Sequence, residues 1–258
     1  MSKLTRGIDV SYAQGRGIDW ANVARHDVNF VIARGGHGEK FDGTFNDHNE
    51  GAKSASLLTG CYWFFEADHS PYTQADMFIE CIKKTRLRPV IDFETLEGCG
   101  PVEAVKSAEK FLVALNSAGY KPILYTCYDF WHSKLGNPST SMLTTLDLWV
   151  AHYGVKVPLI PKPWQSTGWL MWQYDGDGGE RLPDGRDSDF VWLAGTPDEI
   201  EQGVLSPEGI TIEGPKTSRV IANDMVQMWI TESLDRMADQ TLEDMRNRLD
   251  AKRRASDG

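Results

Sequence analysis

The segment Asp92-Phe93-Glu94 sets two carboxylates two positions apart. On a β-strand, residues i and i+2 project from the same face, so both acids point to one side and Phe93 to the other. Neighbouring carboxylates oppose each other's ionisation, which keeps a proton on one of them near neutral pH. A retained proton beside a second acid is what general acid attack on a glycosidic oxygen requires. Asp9 ends the apolar run Gly7-Ile8-Asp9, and Arg186-Asp187-Ser188-Asp189-Phe190 carries two more acids where the last strand-like run opens. A single Asp at a strand end is most often a cap or turn residue. The weight comes from the set.

Those acids need a scaffold that gathers strand ends. Short apolar runs rich in β-branched and aromatic residues recur at 7–10, 28–34, 60–65, 88–94, 121–126, 148–153, 168–174 and 189–193. Helical patterns fall between the earlier ones, at 46–58, 71–84 and 101–118. Val105, Ala108, Phe111, Leu112 and Leu115 form the apolar stripe of the last helix. Strands alternating with helices imply parallel βαβ units, and 258 residues suffice for one α/β barrel. The expectation is an α/β fold, an irregular single β/α barrel of the TIM type, over residues 1–203. Functional groups of such a barrel collect at the C-terminal strand ends. If the barrel closes, the first and last strands are neighbours and Asp9 faces Asp187 across the mouth. Residues 204–221 read as a linker or hairpin. Residues 222–258 read as a long helix whose loose stripe (Val226, Ile230, Leu234, Met237) suits oligomerisation, docking or wall targeting.

Composition narrows the function. A net charge of -10 argues against a nucleic-acid binder, and no apolar run is long enough for membrane insertion. The N-terminal residues show no apolar signal-peptide core, which points to synthesis in a cytoplasm. Cys61, Cys81, Cys99 and Cys127 have no zinc-like spacing and read as free thiols. The six histidines form no close sequence cluster, so neither metal nor cofactor is expected.

The ordered set Gly7-Ile8-Asp9-Val10-Ser11, Gly60-Cys61-Tyr62-Trp63-Phe64, Asp92-Phe93-Glu94, Pro122-Ile123-Leu124-Tyr125-Thr126, Leu148-Trp149-Val150-Ala151-His152-Tyr153, Trp172-Gln173-Tyr174 and Arg186-Asp187-Ser188-Asp189-Phe190 resembles the family 25 glycoside hydrolases, the Chalaropsis-type lysozymes common in bacteriophages. The resemblance covers about residues 5–193. It implies an irregular β/α barrel that cleaves the β-1,4 bond between N-acetylmuramic acid and N-acetylglucosamine in bacterial peptidoglycan. Carried onto this chain, it makes Glu94 the general acid and Asp92 the group that orients the substrate's N-acetyl arm or tunes Glu94. Asp9 and Asp187 complete the catalytic set. Tyr62, Phe64, Tyr125, Trp149, Trp172, Gln173, Tyr174 and Asp189 would bind sugar. The family's last motif often reads Val-Asp-x-Asn, whereas here Arg186 precedes Asp187 and Asp189 stands for the Asn, so either acid is open as the one facing the site. The implied setting is phage-mediated lysis, with release through a holin or from the virion. Virion docking would fall to the C-terminal helix. Retaining, inverting and N-acetyl-assisted routes stay open at this level.

Overall fold

The structure, a computed structural model, describes residues 4–176, 179–194 and 197–201. The readings for 204–221 and 222–258 lie outside the described residues. Nine strands occur among those described: β1 (Leu4–Val10), β2 (Phe30–His37), β3 (Lys40–Phe41), β4 (Leu58–Phe64), β5 (Val90–Asp92), β6 (Ile123–Cys127), β7 (Leu148–Ala151), β8 (Met171–Asp175) and β9 (Asp189–Ala194). Eight of them close into a barrel in the order β1-β2-β4-β5-β6-β7-β8-β9, and β3 is a hairpin extension on β2. The expected irregular α/β barrel is the one observed.

Within the barrel, every neighbouring pair from β1 through β8 is parallel, and only the extension β3 runs antiparallel to β2. The closing strand β9 is antiparallel to both β8 and β1. An antiparallel neighbour can be reached without a crossover helix, which explains why the last strand-like runs follow one another so closely. The reversal also puts the start of β9, rather than its end, at the mouth where β1 to β8 finish.

Helices α1 (Trp20–Ala24), α2 (Phe45–Ser54), α3 (Pro71–Ile82) and α4 (Pro101–Ser117) accompany the first half of the barrel. Ser70 caps α3 by accepting from the Thr73 amide, and Pro71 fills the first turn, where no amide hydrogen is needed. Outward-facing strand residues meet α3 and α4 through a continuous aromatic chain. Trp63 packs on Phe78, Phe78 on Phe111, Phe111 on Phe65, and Phe65 on Phe93. Inward-facing residues fill the barrel with Phe30, Ile32, Val90, Ile123, Trp149, Met171, Val191 and Leu193. Gly7 makes room for this core, because a Cβ there would lie 2.3–2.5 Å from ring atoms of Phe30. Ile200 joins the same core, its carbonyl accepting from the Arg88 amide at 2.8 Å, and Glu201 bridges to Leu87. These contacts lie where β5 begins, at the end away from the mouth. All four cysteines are free, with Cys61 and Cys81 buried.

Candidate active site

Above the apolar filling, the strand ends enclose a cavity of about 170 Å³ lined by Asp9, Arg34, Tyr62, Phe64, Val90, Asp92, Glu94, Tyr125, Trp149, Gln173 and Asp189. The alternation of each strand selects these residues. Gly7 and Asp9 point inward on β1, Ile32 and Arg34 on β2, and Val90 and Asp92 on β5 with Glu94 following. Phe93 points outward into the aromatic chain and is fully buried.

Asp9 and Asp189 occupy paired positions of the antiparallel β1–β9 ladder. Their carboxyls hydrogen-bond, an arrangement that needs one shared proton. The other side of Asp9 is fixed by Gln173, whose Nε2 donates to Asp9 Oδ2 at 2.8 Å. Gln173 Oε1 in turn accepts from the Tyr125 hydroxyl at 2.8 Å and the Tyr153 hydroxyl at 2.6 Å. The Tyr125 hydroxyl also reaches Glu94. One hydrogen-bonded network therefore runs from β6 and the segment after β7 through β8 to β1 and β9.

The electrostatics follow from packing acids together. Burial, and then Asp189, push the Asp9 carboxyl well above the usual carboxylate range. Burial, and then Glu94 and Asp9, do the same to Asp92, with the Arg34 guanidinium pulling in the opposite direction. Glu94 is open to solvent at the mouth while its carboxyl is enclosed on the cavity side. That enclosure, followed by Asp189, raises it too. Protons are thus held in the cleft at pH values where exposed carboxyls have lost theirs.

Two polar atoms at this cavity are left open. Asp92 Oδ1 and Trp149 Nε1 are buried with no hydrogen-bond partner among the described residues. A buried acceptor and a buried donor without partners are costly, and both belong to residues that line the cavity.

Three of the expected site residues stand elsewhere. Asp187 is about half exposed, with an ion pair to Arg181 at 3.0 Å, and does not line the cavity. Asp189 takes the position facing Asp9, because β9 begins at residue 189 and runs antiparallel. Trp172 and Tyr174 flank Gln173 on β8, so they project from the barrel's outer face. Trp172 donates to the His152 carbonyl at 2.9 Å, and Tyr174 stacks on Trp192 and accepts from Arg6. Two residues absent from the expected set belong to the site. Arg34 is the one cation lining the cavity among the described residues, and its place two residues beyond inward Ile32 was the available signal. Tyr153 closes the hydrogen-bonded network. A second cavity of about 370 Å³, lined by Tyr12, Arg34, His37, Phe41, Asp42, Gly43, Phe64 and Glu66, shares Arg34 and Phe64 with the first and lengthens it into a groove.

The profile of the glycosyl hydrolases family 25 matches residues 8–180. The autolytic lysozyme of Clostridium acetobutylicum is 27% identical over 211 residues, covering 81% of this chain and 59% of that protein. Lysozyme M1 of Streptomyces globisporus is 29% identical over 188 residues, covering 67% of this chain and 62% of the other. The chain therefore spans about three fifths of the length of these two relatives. Among solved structures, a muramidase from Trichobolus zukalii is similar with a TM-score of 0.63 at 26% identity, over 76% of this chain and 96% of that one. The bacterial lysozyme from Streptomyces coelicolor has the same fold, with a TM-score of 0.64 at 24% identity over 76% and 94% of the two chains. With the profile matched from β1 through β8, over the strands that carry Asp9, Asp92 and Gln173, this chain belongs to family 25 of the glycosyl hydrolases.

Proposed function

We propose that the protein is an N-acetylmuramidase that hydrolyses the β-1,4 bond between N-acetylmuramic acid and N-acetylglucosamine in bacterial peptidoglycan. The observation that carries this reading is the convergence of Asp9, Asp92, Glu94 and Asp189 on one cavity at the barrel mouth, beside an unpartnered buried acceptor and donor. Family membership and the relatives named lysozyme support it.

In this reading Glu94, protonated and reachable from solvent, donates its proton to the glycosidic oxygen as the bond to the sugar's C1 breaks. Asp92 Oδ1 accepts the N–H of the 2-acetamido group. The amide oxygen then closes on C1, forming a cyclic oxazolinium-type intermediate. Glu94, now a carboxylate, takes a proton from the water that opens this ring and returns to its starting form. Asp9 and Asp189, sharing one proton, hold the cleft acidic and fix Gln173 and Tyr125 against the sugar. A covalent glycosyl adduct trapped on Asp92 or Glu94 would replace this route with a direct nucleophilic one.

The test is to incubate wild type and Glu94→Gln with purified peptidoglycan and identify new reducing ends by mass spectrometry. Wild type should release fragments ending in reducing N-acetylmuramic acid. Loss of the positioned acid should lower the rate by roughly 10²–10⁴-fold. Failure of wild type to release fragments from several wall types would leave a glycan-binding protein on the same barrel.

The wider setting in our reading is phage-mediated lysis, supported by the resemblance of the ordered motifs to phage lysozymes. Expressed in a bacterial host, the protein should then lyse the cells when a holin is co-expressed.

A further inference from the structure

We propose that His37, Glu66, Asp68 and His69 form a binding site for a divalent transition-metal ion, best suited to Zn²⁺, in the wall of the groove beside the acidic cavity. His37 and Glu66 line the second cavity. Nothing in the muramidase reading uses these four residues as a unit.

Glu66, Asp68 and His69 each bring one ligand atom to within 4.8 Å of the others. His69 Nδ1 lies 3.2 Å from Glu66 Oε2 and 2.9 Å from Asp68 Oδ1. One ring nitrogen has at most one proton to give, so it cannot serve two carboxylates fully. A metal ion between the three atoms would serve all of them. Zinc bonds of about 2.0–2.2 Å to nitrogen and oxygen place neighbouring ligand atoms roughly 3.3 Å apart in a tetrahedron, so the two separations from His69 need to open only slightly, and the third lies within 4.8 Å. Imidazole and carboxylate together are the donor set that suits zinc over calcium or magnesium.

The surroundings are those of a supported ligand. The other oxygen of Glu66 is held by His37 Nδ1 at 2.9 Å, as an outer-shell partner orients a metal-binding carboxylate. The chain turns over the cluster at Gly38, where φ is +48° and a Cβ would come 2.1 Å from Glu66 Oε2. The Trp63 indole donates to the Gly38 carbonyl at 3.2 Å and pins that turn. Among the described residues Glu66 and Asp68 ion-pair with histidine alone. A dication seated between the two carboxylates would neutralise both. The bound ion would brace the loop after β4 and, through the His37–Glu66 hydrogen bond, reach the end of β2.

The three ligands fall within one short segment, Glu66-Ala67-Asp68-His69, while the parallel pairing of β2 with β4 brings the distant His37 behind Glu66.

The experiment uses the full chain, stripped with a chelator and titrated with ZnCl₂ by calorimetry near pH 7. Thermal unfolding is followed in parallel, and Co²⁺ serves as a visible-absorption probe. Wild type should take up one ion per chain, gain thermal stability on binding, and give a Co²⁺ spectrum of low coordination number. His69→Ala should abolish saturable uptake, and His37→Ala should weaken it by about 10–100-fold. His69 and Asp68 are substantially exposed (38% and 49%), so His69→Ala and Asp68→Asn leave the fold intact. Absence of saturable Zn²⁺ uptake by wild type would overturn the proposal. So would equal affinity of wild type, His69→Ala and Asp68→Asn, which would place the bound ion elsewhere. None of these readouts depends on glycan hydrolysis.

Discussion

Asp9 and Asp189 face each other across the seam where β1 meets the antiparallel β9, and the proton their carboxyls share lies beside the acid we assign to catalysis. Asp189 also raises Glu94, second only to burial. A raised Glu94 keeps its proton to higher pH, so it stays competent as an acid over a wider range. Asp189→Asn removes that repulsion, lowers the Glu94 pKa and should move the alkaline limb of kcat/KM to lower pH. An unmoved limb in a pH series would show that Asp189 does not set the proton affinity of Glu94.

Asp187 provides the contrast. Its ion pair with Arg181 is exposed, and such pairs contribute little. Asp187→Ala should therefore hydrolyse peptidoglycan at close to the wild-type rate. A large fall would return Asp187 to the catalytic set.

The cleft also opposes folding. Asp9 and Asp92 are raised well above the usual carboxylate range by burial and by neighbouring acids. A carboxyl whose folded-state pKa is raised contributes stability at low pH, and that contribution is lost as pH rises through the folded value. Asp92→Asn should therefore raise Tm at neutral pH, and the gain should shrink on acidification toward the unfolded carboxyl range. Each pKa unit of relieved shift corresponds to about 1.4 kcal/mol. Melting curves at several pH values read this directly, and a gain that is constant across pH would refute it.

Gln173 joins Tyr125 and Tyr153 to Asp9 through three hydrogen bonds. Gln173→Leu would strand partners in a buried setting, at about 1–3 kcal/mol for each group left unsatisfied. Chemical denaturation should register the loss, together with a fall in activity as Tyr125 loses its anchor. Unchanged stability would mean that water replaces the amide.

Gly7 tests the filling below the site. A methyl group there collides with Phe30, which is fully buried inside the barrel. Overpacking of this kind costs typically about 1–3 kcal/mol, and Gly7→Ala should lose that much in urea unfolding. A paired Phe30→Leu change should recover part of it.

Much of this was legible in the residues because a strand has a period of two. Asp92 and Glu94 could be put on one face, and Asp9 at a strand end, from alternation alone. The same rule applied to Trp172-Gln173-Tyr174 allows only Gln173, or only its two neighbours, to face inward. Gln173 is the inward one, with its Nε2 on Asp9. The choice between Asp187 and Asp189 depended on where β9 begins and which way it runs. Direction is set by long-range pairing with β1 and β8, which no local pattern encodes. Arg34 is hidden in the sequence for a different reason. A cation inside an acidic cleft has no period of its own, and only its phase with Phe30 and Ile32 marks it as inward. Helix positions were read closely where capping chemistry was present, as with Ser70 and Pro71.

The reversed closing strand also governs how this architecture can be recombined. Because β9 starts at the mouth, it delivers the chain to the opposite end, where Ile200 plugs the core and Glu201 pairs with Leu87. A module exchanged after Glu201 would begin at the floor of the barrel, with the full depth of the core between its junction and the acids. A segment joined there would leave the residues lining the groove untouched. The direction of one strand thus sets the barrel's exit apart from its acids.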